Sequence, residues 1–253
     1  LLHRTHEATI MTHSEPARTA LRVAVTGGTS GLGRALVDAF AARGDAVAFV
    51  ARDAARVRSV AAAVPGSHGI VGDVASKDDA HAIALQVGGA LGGLDVLVHN
   101  ASTLGPVPLA LLADTECEDF EQALATNVLG PFRLTKALLG LLAASARESR
   151  ERGERAVVVH ITSDAAFTPY SGWGAYGASK AALAQLGRIW HEELAPHGVA
   201  VIDVDPGDMD TPMHAAAIPD ADPATLKRPR DAARELIERI DRERAAPRTA
   251  DVP

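Results

Sequence analysis

The chain of 253 residues contains one cysteine, Cys117. No disulfide can close within it, which fits a reducing compartment and makes the cytoplasm the expected location. Aromatic residues are scarce, at 4%, so the core must be built from Ala, Val, Leu and Ile. Acidic residues outnumber basic ones, 32 against 25, and Lys and Arg nowhere gather into a long positive block. Binding to a nucleic-acid backbone relies on such clustering, so no nucleic-acid partner is expected, although a local phosphate site is compatible. No uninterrupted apolar run approaches the roughly 20 residues that a bilayer requires, so no membrane partner is expected. No metal site is expected either. The opening stretch LLHRTHEATIMTHSEPARTA lacks the apolar core of a signal peptide. Residues 1–20 read as a flexible lead-in, with Met11 a candidate natural start.

What is present is alternation. From Leu21 onward, short apolar runs rich in Val (LRVAVT, AVAFVA, HGIVGDV, LDVLVHN, AVVVHITS, VAVIDVDPG) are separated by segments with helical spacing. Continuous apolar runs of this length belong to strands covered by helices on both faces, as in a parallel sheet. Residues 21–245 therefore read as one doubly wound α/β domain, followed by a tail at 246–253. The charged stretch SARESRERGER at 145–155 reads as a solvated helix end and loop. Residues 211–229, rich in Pro, Asp and Ala, interrupt the alternation as a loop with at most one helix. The amphipathic helix DAARELIERIDRER comes next, and no strand-like segment follows it.

The run TGGTSGLG, Thr26 to Gly33, lies between the first strand and the first helix. Glycines there allow a tight turn and let backbone N–H groups approach a pyrophosphate at the helix N-terminus. Glycines also serve plain turns, but this position, at the first alternation of the domain, favours dinucleotide binding. About 20 residues further on, where an acid would hold a ribose 2′-hydroxyl, the chain has Ala51 and Arg52. A guanidinium pairs with a 2′-phosphate that an acid would repel, so NADP(H) is the preferred cofactor and NAD(H) the alternative. The competing reading is that Arg52 merely solvates a helix start, with Asp53 beside it as N-cap.

Tyr176 and Lys180 stand four residues apart in YSGWGAYGASKA and share a helical face. Ser163 closes the strand AVVVHITS thirteen residues upstream. A phenol titrates near 10, too high for proton transfer at neutral pH. A neighbouring ammonium and a nicotinamide cation both favour the phenolate and lower that value. Taken singly, Tyr176 is a rim or core tyrosine, Lys180 a solvated amine and Ser163 a turn cap. Their joint placement downstream of a cofactor turn favours catalysis.

Together, TGGTSGLG, HNAS at 99–102, Asn127 in ATNVLGPF, Ser163, Tyr176-x-x-x-Lys180 and the DPG run at 205–207 resemble the short-chain dehydrogenase/reductase superfamily. The glycine spacing is similar to that of its compact single-domain subgroup. Longer epimerase-type members carry glycine at the place of Ser30, which counts against a sugar-nucleotide epimerase or dehydratase. The resemblance implies a Rossmann-type fold and an oxidoreductase acting on a small carbonyl or alcohol. It implies Tyr176 as general acid/base, Lys180 lowering its pKa and binding the nicotinamide ribose, Ser163 orienting the substrate oxygen, and Asn127 holding the helix geometry and water of a proton relay. It places Gly27, Thr29, Ser30, Gly31, Leu32 and Gly33 at the pyrophosphate, with Asp73 and Val74 at the adenine. Asn100 and Ala101 would close the ribose side, with Pro206 and Gly207 flanking the nicotinamide and Thr211 contacting the carboxamide or phosphates.

The chain also departs from the pattern. His99 replaces a polar residue of the family and reads as a packing variant; Ser102 replaces a glycine, leaving that loop less free to adopt positive φ. The end of the chain lacks the family's seventh strand, so six strands are expected. A homodimer through two long helices (near 116–145 and 175–196) is then favoured over a tetramer. Asp164, Phe167, Trp173, Asp208 and Met209 are the candidate substrate-pocket residues, Phe167 and Trp173 either lining the pocket or bracing its loop. The acids disfavour strongly anionic substrates, and the apparent lack of Lys or Arg there gives no support to CoA or carrier-bound ones. A non-catalytic NADPH-binding regulator and an interaction protein on the same scaffold remain as alternatives.

Overall fold

The computed structural model describes residues 19–246. The lead-in up to residue 18, with Met11, and the tail from residue 247 lie outside the described residues.

Six strands form one parallel sheet: β1 (Arg22–Thr26), β2 (Ala46–Ala51), β3 (Ser67–Val71), β4 (Val96–His99), β5 (Ala156–Ile161) and β6 (Val199–Val204). Their order is β3-β2-β1-β4-β5-β6. The chain winds outward from β1 in one direction, then returns to its other side with β4 and winds the opposite way. Between β1 and β4 the order reverses, and a crevice opens beyond the strand ends at that point. The central strands are mainly apolar because both faces are covered; all six residues of β5 are buried, His160 among them. Edge strand β3 instead exposes His68, Gly69 and Val71.

One face of the sheet is covered by α1 (Gly31–Ala42), α2 (Ala54–Ala63) and α8 (Pro229–Ala245). Leu36, Val37 and Phe40 of α1 and Leu236 and Ile240 of α8 pack there on Val23, Val25, Val157 and Val159. On the other face, α3 (Asp79–Leu91), α5 (Gly130–Glu148) and α6 (Gly174–Leu194) contribute Ile83, Val87, Leu134, Leu138, Leu142 and Leu194 against Ala24, Leu97, Val158 and Val201. Each such side chain, fully buried, contributes about 1.5–3 kcal/mol. These aliphatic layers hold the strand ends rigid, and with them the site. Two shorter helices, α4 (Cys117–Leu124) and α7 (Pro212–Ala217), lie nearer the crevice.

Among the described residues no seventh strand follows β6. The chain passes instead through residues 205–228 into α8. The charged stretch at 145–155 is the mostly exposed end of α5 and its loop, as expected, but Ser145, Ser149 and Arg155 are buried. Arg155 pairs with Glu243 of α8 at 2.6 Å, and Arg244 reaches back to Glu154 at 2.9 Å and to the Arg155 carbonyl at 2.7 Å. Charges that find partners tolerate burial, and here they clamp α8 to the end of the sheet. The helical stretch Cys117–Glu148 is long and apolar enough by composition to cross a bilayer, although Arg133 and Lys136 interrupt it. Leu134, Leu138 and Leu142 turn its apolar side into the core.

Candidate active site

Four segments meet beyond the carboxyl ends of the strands and enclose a cleft of about 940 Å³. They are the glycine turn after β1, the loop after β4, the loop after β5 with the start of α6, and the segment after β6. That volume suits a small-molecule site.

The glycine turn is built by close approach. Gly27 has φ of +72° and its N–H bonds the Val50 carbonyl at 2.8 Å. A Cβ on Gly33 would collide with the Gly27 carbonyl and the Asn100 amide. Ser30, at the N-cap of α1, makes no side-chain cap bond among the described residues, and the first turn of α1 has no acid. The orphan N–H groups of that turn thus stay open toward the cleft lined by Thr29, Ser30, Gly31 and Leu32. These features fit a pyrophosphate. Asn100 lines the cleft, and its Nδ2 donates to the Thr26 and Gly27 carbonyls, 2.9 and 3.3 Å. The Thr26 hydroxyl in turn accepts from the N–H groups of Asn100 and Ala101, each at 3.0 Å. The asparagine therefore braces the turn from behind.

Toward the far end lie Arg52, Asp73 and Val74. Asp53 does cap α2, accepting from Ala55 and Arg56 N–H, while Arg52 is exposed on the cleft wall. Arg56, which sequence reasoning missed, lines the same wall and lies 3.6 Å from Asp53. Asp73 accepts from the Ala75 N–H at 2.9 Å. Pro206, Gly207 and Thr211 line the opposite wall, with the Thr211 hydroxyl capping α7 at His214 N–H.

At the centre, Tyr176 and Lys180 are buried on the first turns of α6. Lys180 Nζ donates to the Ile161 carbonyl at 2.7 Å and lies 5.4 Å from the Tyr176 ring centroid. Asn127 sits in a π-helical turn, Ala125–Leu129, joining α4 to α5. It is fully buried; its Nδ2 donates to the Thr103 carbonyl and the Ser179 hydroxyl, both at 2.8 Å. Its Oδ1 accepts from Thr103 N–H and from Ser102. Ser102 thus fills its loop position with a hydrogen bond; among the described residues only glycines have positive φ. His99 is buried against Thr135, 2.8 Å away, and burial pushes it well below the usual imidazole range, in keeping with a packing role.

Burial pushes the Tyr176 phenol up to about 12; its hydrogen bond to Ser163 pulls it back, while Asp205 and Asp164 push it further up. Burial also pushes the Lys180 ammonium down to about 8, against the pull of Asp205. Burial thus dominates the phenol in the absence of cofactor, and the Lys180 amine lies over the ring, tethered to β5.

At the substrate end, Trp173 packs edge-on against Tyr176, centroids 5.7 Å apart, and lines the cleft with Asp164, Asp208 and Met209. Phe167 is the exception among the predicted pocket residues. It is 69% exposed, outside the cleft lining, with the Arg188 guanidinium 6.0 Å from its ring. Tyr170 of the same loop lines the cleft instead, and its hydroxyl donates to Asp164 at 2.7 Å. Met213, His214 and Ile218, from α7 and its end, were missed because that segment carried no period or motif. A shallower hollow of about 530 Å³, lined by Arg34, Asp38, Arg228 and Arg230, lies behind the glycine turn, away from Tyr176.

Comparison with known proteins agrees with this geometry. The family profile for short chain dehydrogenase matches residues 22–222. An uncharacterized short-chain type dehydrogenase/reductase, y4vI, of Sinorhizobium fredii is 34% identical over 76% of this chain and 33% of its own length. The 3-hydroxyacyl-CoA dehydrogenase type-2 of Drosophila melanogaster is 32% identical over 76% of each chain. The cis-2,3-dihydrobiphenyl-2,3-diol dehydrogenase of a Pseudomonas species is 37% identical over 74% of this chain and 65% of its own. The matched stretch thus spans from a third to three quarters of these relatives. Among solved structures, a short-chain dehydrogenase from Streptomyces avermitilis superposes with a TM-score of 0.75 at 31% identity, covering 91% of this chain and 87% of its own. One from Burkholderia cenocepacia in complex with NADP gives 0.75 at 27% identity, covering 92% and 93%. With a six-stranded parallel sheet, a glycine turn at its switch point and the Ser163, Tyr176 and Lys180 set on one cleft, this chain belongs to the short-chain dehydrogenase/reductase family, an α/β family of oxidoreductases.

Proposed function

We propose that the protein is an NADPH-preferring reductase that moves a hydride between the cofactor and a small carbonyl/alcohol pair, with Tyr176 as its proton donor. The observation that carries this reading is the burial of Tyr176 and Lys180 together, with Ser163 within hydrogen-bonding reach of the phenol, on a cleft that begins at an open helix N-terminus. The residues of the turn would hold the pyrophosphate, and Arg52 and Arg56 the adenosine end. A bound nicotinamide supplies the hydride and, once oxidised, a positive charge that favours phenolate.

The chain's own groups do the rest. Tyr176 holds a proton at Oη and gives it to the carbonyl oxygen as the carbon receives hydride, so the product is a neutral alcohol. A phenol kept protonated suits that direction. Ser163 orients the phenol, and Lys180 fixes the first turns of α6 to β5. Asn127 locks the turn below them through Ser179, which donates to the Tyr176 carbonyl at 2.7 Å. Trp173 and Met209 exclude water from one side.

The preference for NADPH rests on Arg52 in the cleft and on Ala51 where an acid would end β2, the neighbouring Asp53 being engaged as the cap of α2. NADP in the Burkholderia structure supports the cofactor class. The outer face of α5 and α6, where Phe132 stacks on Trp190 at 6.0 Å and Ile189 is exposed, supports a homodimer. The single, exposed Cys117 is compatible with the cytoplasm.

Fluorescence titration with NADPH and NADH, followed by a carbonyl screen, tests the reading. Tighter NADPH binding with carbonyl-dependent turnover is expected. Tighter NADH binding would overturn the Arg52 argument alone. Binding without turnover would favour a regulator, and binding of neither would overturn the dehydrogenase reading.

A further inference from the structure

We infer that the substrate carries a second hydrogen-bond donor, a hydroxyl or an ammonium, on the carbon next to the reacting one, and that Asp164 receives it. This rests on the reading of the cleft as a carbonyl/alcohol site. Asp164 follows Ser163 directly and lines the same wall. A serine hydroxyl has a single proton. Ser163 Oγ lies 3.0 Å from Asp164 Oδ1 and can give its proton there or toward Tyr176, while its oxygen accepts from the Ala165 N–H at 3.2 Å. Tyr170 donates to the other oxygen, Oδ2, at 2.7 Å.

Both partners are neutral, and among the described residues no lysine or arginine forms an ion pair with Asp164. Its charge is therefore held without being cancelled. Hydrogen bonds from Tyr170 and then Ser163 hold the carboxyl below its usual range, so at neutral pH it can only accept. A carboxylate offers about four lone-pair sites; Tyr170 and Ser163 take one on each oxygen, the backbone N–H groups of Ala165 and Asp164 add further, smaller support, and the group is exposed. Its charge also reaches Tyr176, whose phenol it helps push up.

A ligand here thus meets an acceptor-only anion one residue from the serine that faces the reacting oxygen. Leu104, Trp173, Met209, Met213 and Ile218 give the cleft an apolar stretch, alongside the polar Asp208 and His214. A gauche vicinal diol, or a vicinal amino alcohol, sets its two heteroatoms at about hydrogen-bond separation, the spacing that Ser163 Oγ and Asp164 Oδ1 themselves keep. One heteroatom then lies at Tyr176 and the other at Asp164, with the carbon body on the apolar wall. A carboxylate in the second position would meet like charge.

The test is alcohol oxidation with NADP on a matched series: cyclohexanol, cis-1,2-cyclohexanediol, 2-aminocyclohexanol and cis-2-methoxycyclohexanol. The ether keeps the bulk of the diol and lacks the donor. Expected is a kcat/KM at least tenfold higher for the diol and amino alcohol than for the ether, carried mainly by KM. D164N and D164A should reduce that ratio below threefold while binding NADPH with unchanged affinity, which shows that they fold. Equal values for diol and ether in the wild type, or a preference that survives in both variants, would overturn the inference and leave the reductase reading standing. NADPH binding with no member of the series oxidised would overturn it too. Loss of NADPH binding by the wild type would bring down the reading beneath it.

Discussion

Lys180 is fastened to the last residue of β5, its ammonium 2.7 Å from the Ile161 carbonyl, while the same ammonium lies 5.4 Å from the centre of the Tyr176 ring. Strand and helix are thereby locked together at the point where β5 leads into Ser163 and α6 presents Tyr176.

If Tyr176 delivers the proton, Y176F should lower kcat by on the order of 10²–10⁴, the span of general acid–base catalysis. NADPH affinity should change less than twofold, because the phenol is not needed to hold the pyrophosphate. Single-turnover measurements with saturating NADPH check this. Retention of wild-type kcat would remove Tyr176 from the mechanism.

How much of this was legible in the sequence follows from what each signal depends on. The buried strands could be read because Val-rich runs have one stable environment, a sheet covered on both faces, and Asp53 could be read as a cap because capping is local. The loop after Ser163 was not legible. Whether Phe167 or Tyr170 enters the cleft depends on a short helical turn at Asp164–Ala166 and on Gly172, which has φ of +84°; spacing does not encode these. Likewise, Asn100 was placed at the right edge, but its side chain turns back to carbonyls that only the folded glycine turn brings within reach. The clamp of Glu154 and Arg155 on α8 depends on two segments about 90 residues apart. A charge run with a distant partner looks the same in sequence as one facing water.

Arg52 decides the cofactor argument. Charge-assisted hydrogen bonds contribute about 1.5–3 kcal/mol, so R52A should weaken NADPH binding by about 10- to 100-fold. NADH binding should hardly change. Parallel titrations of both cofactors measure this; an equal loss for the two would mean that Arg52 does not contact a 2′-phosphate.

Gly33 should be intolerant of even one methyl group. Its Cβ would meet the Gly27 carbonyl and the Asn100 amide, both of which belong to the brace behind the turn. G33A therefore has to displace the turn or the asparagine. NADPH affinity is expected to fall at least tenfold, while circular dichroism stays native because the sheet core lies away from the collision. Gly44, with nothing within 4 Å of its added Cβ, provides a contrast: G44A should leave NADPH binding unchanged, its φ of +85° costing stability alone.

The last prediction concerns the pH dependence of stability. Lys180 titrates at about 8 in the folded protein and near 10.4 when unfolded. Between these values the unfolded chain holds a proton that the native one has released, so stability rises with pH across the window. Below about pH 8 the full cost of charging the buried amine is present; as pH climbs toward the unfolded value, that cost fades. K180M removes the titration, and taking its stability as the reference largely cancels the other groups. Relative to K180M, the wild type should gain ~2 kcal/mol between about pH 7.5 and 9.5, at ~1.4 kcal/mol per full unit of pKa difference. The range must stop there, because Tyr176, raised to about 12, acts with the opposite sign: above pH 10 the unfolded chain loses a proton that the native one keeps, and stability falls. Urea unfolding of both proteins at a series of pH values decides the matter. A flat difference across the window would mean that Lys180 keeps its charge when buried, and the ammonium would then have to be counted as a full cation beside Tyr176.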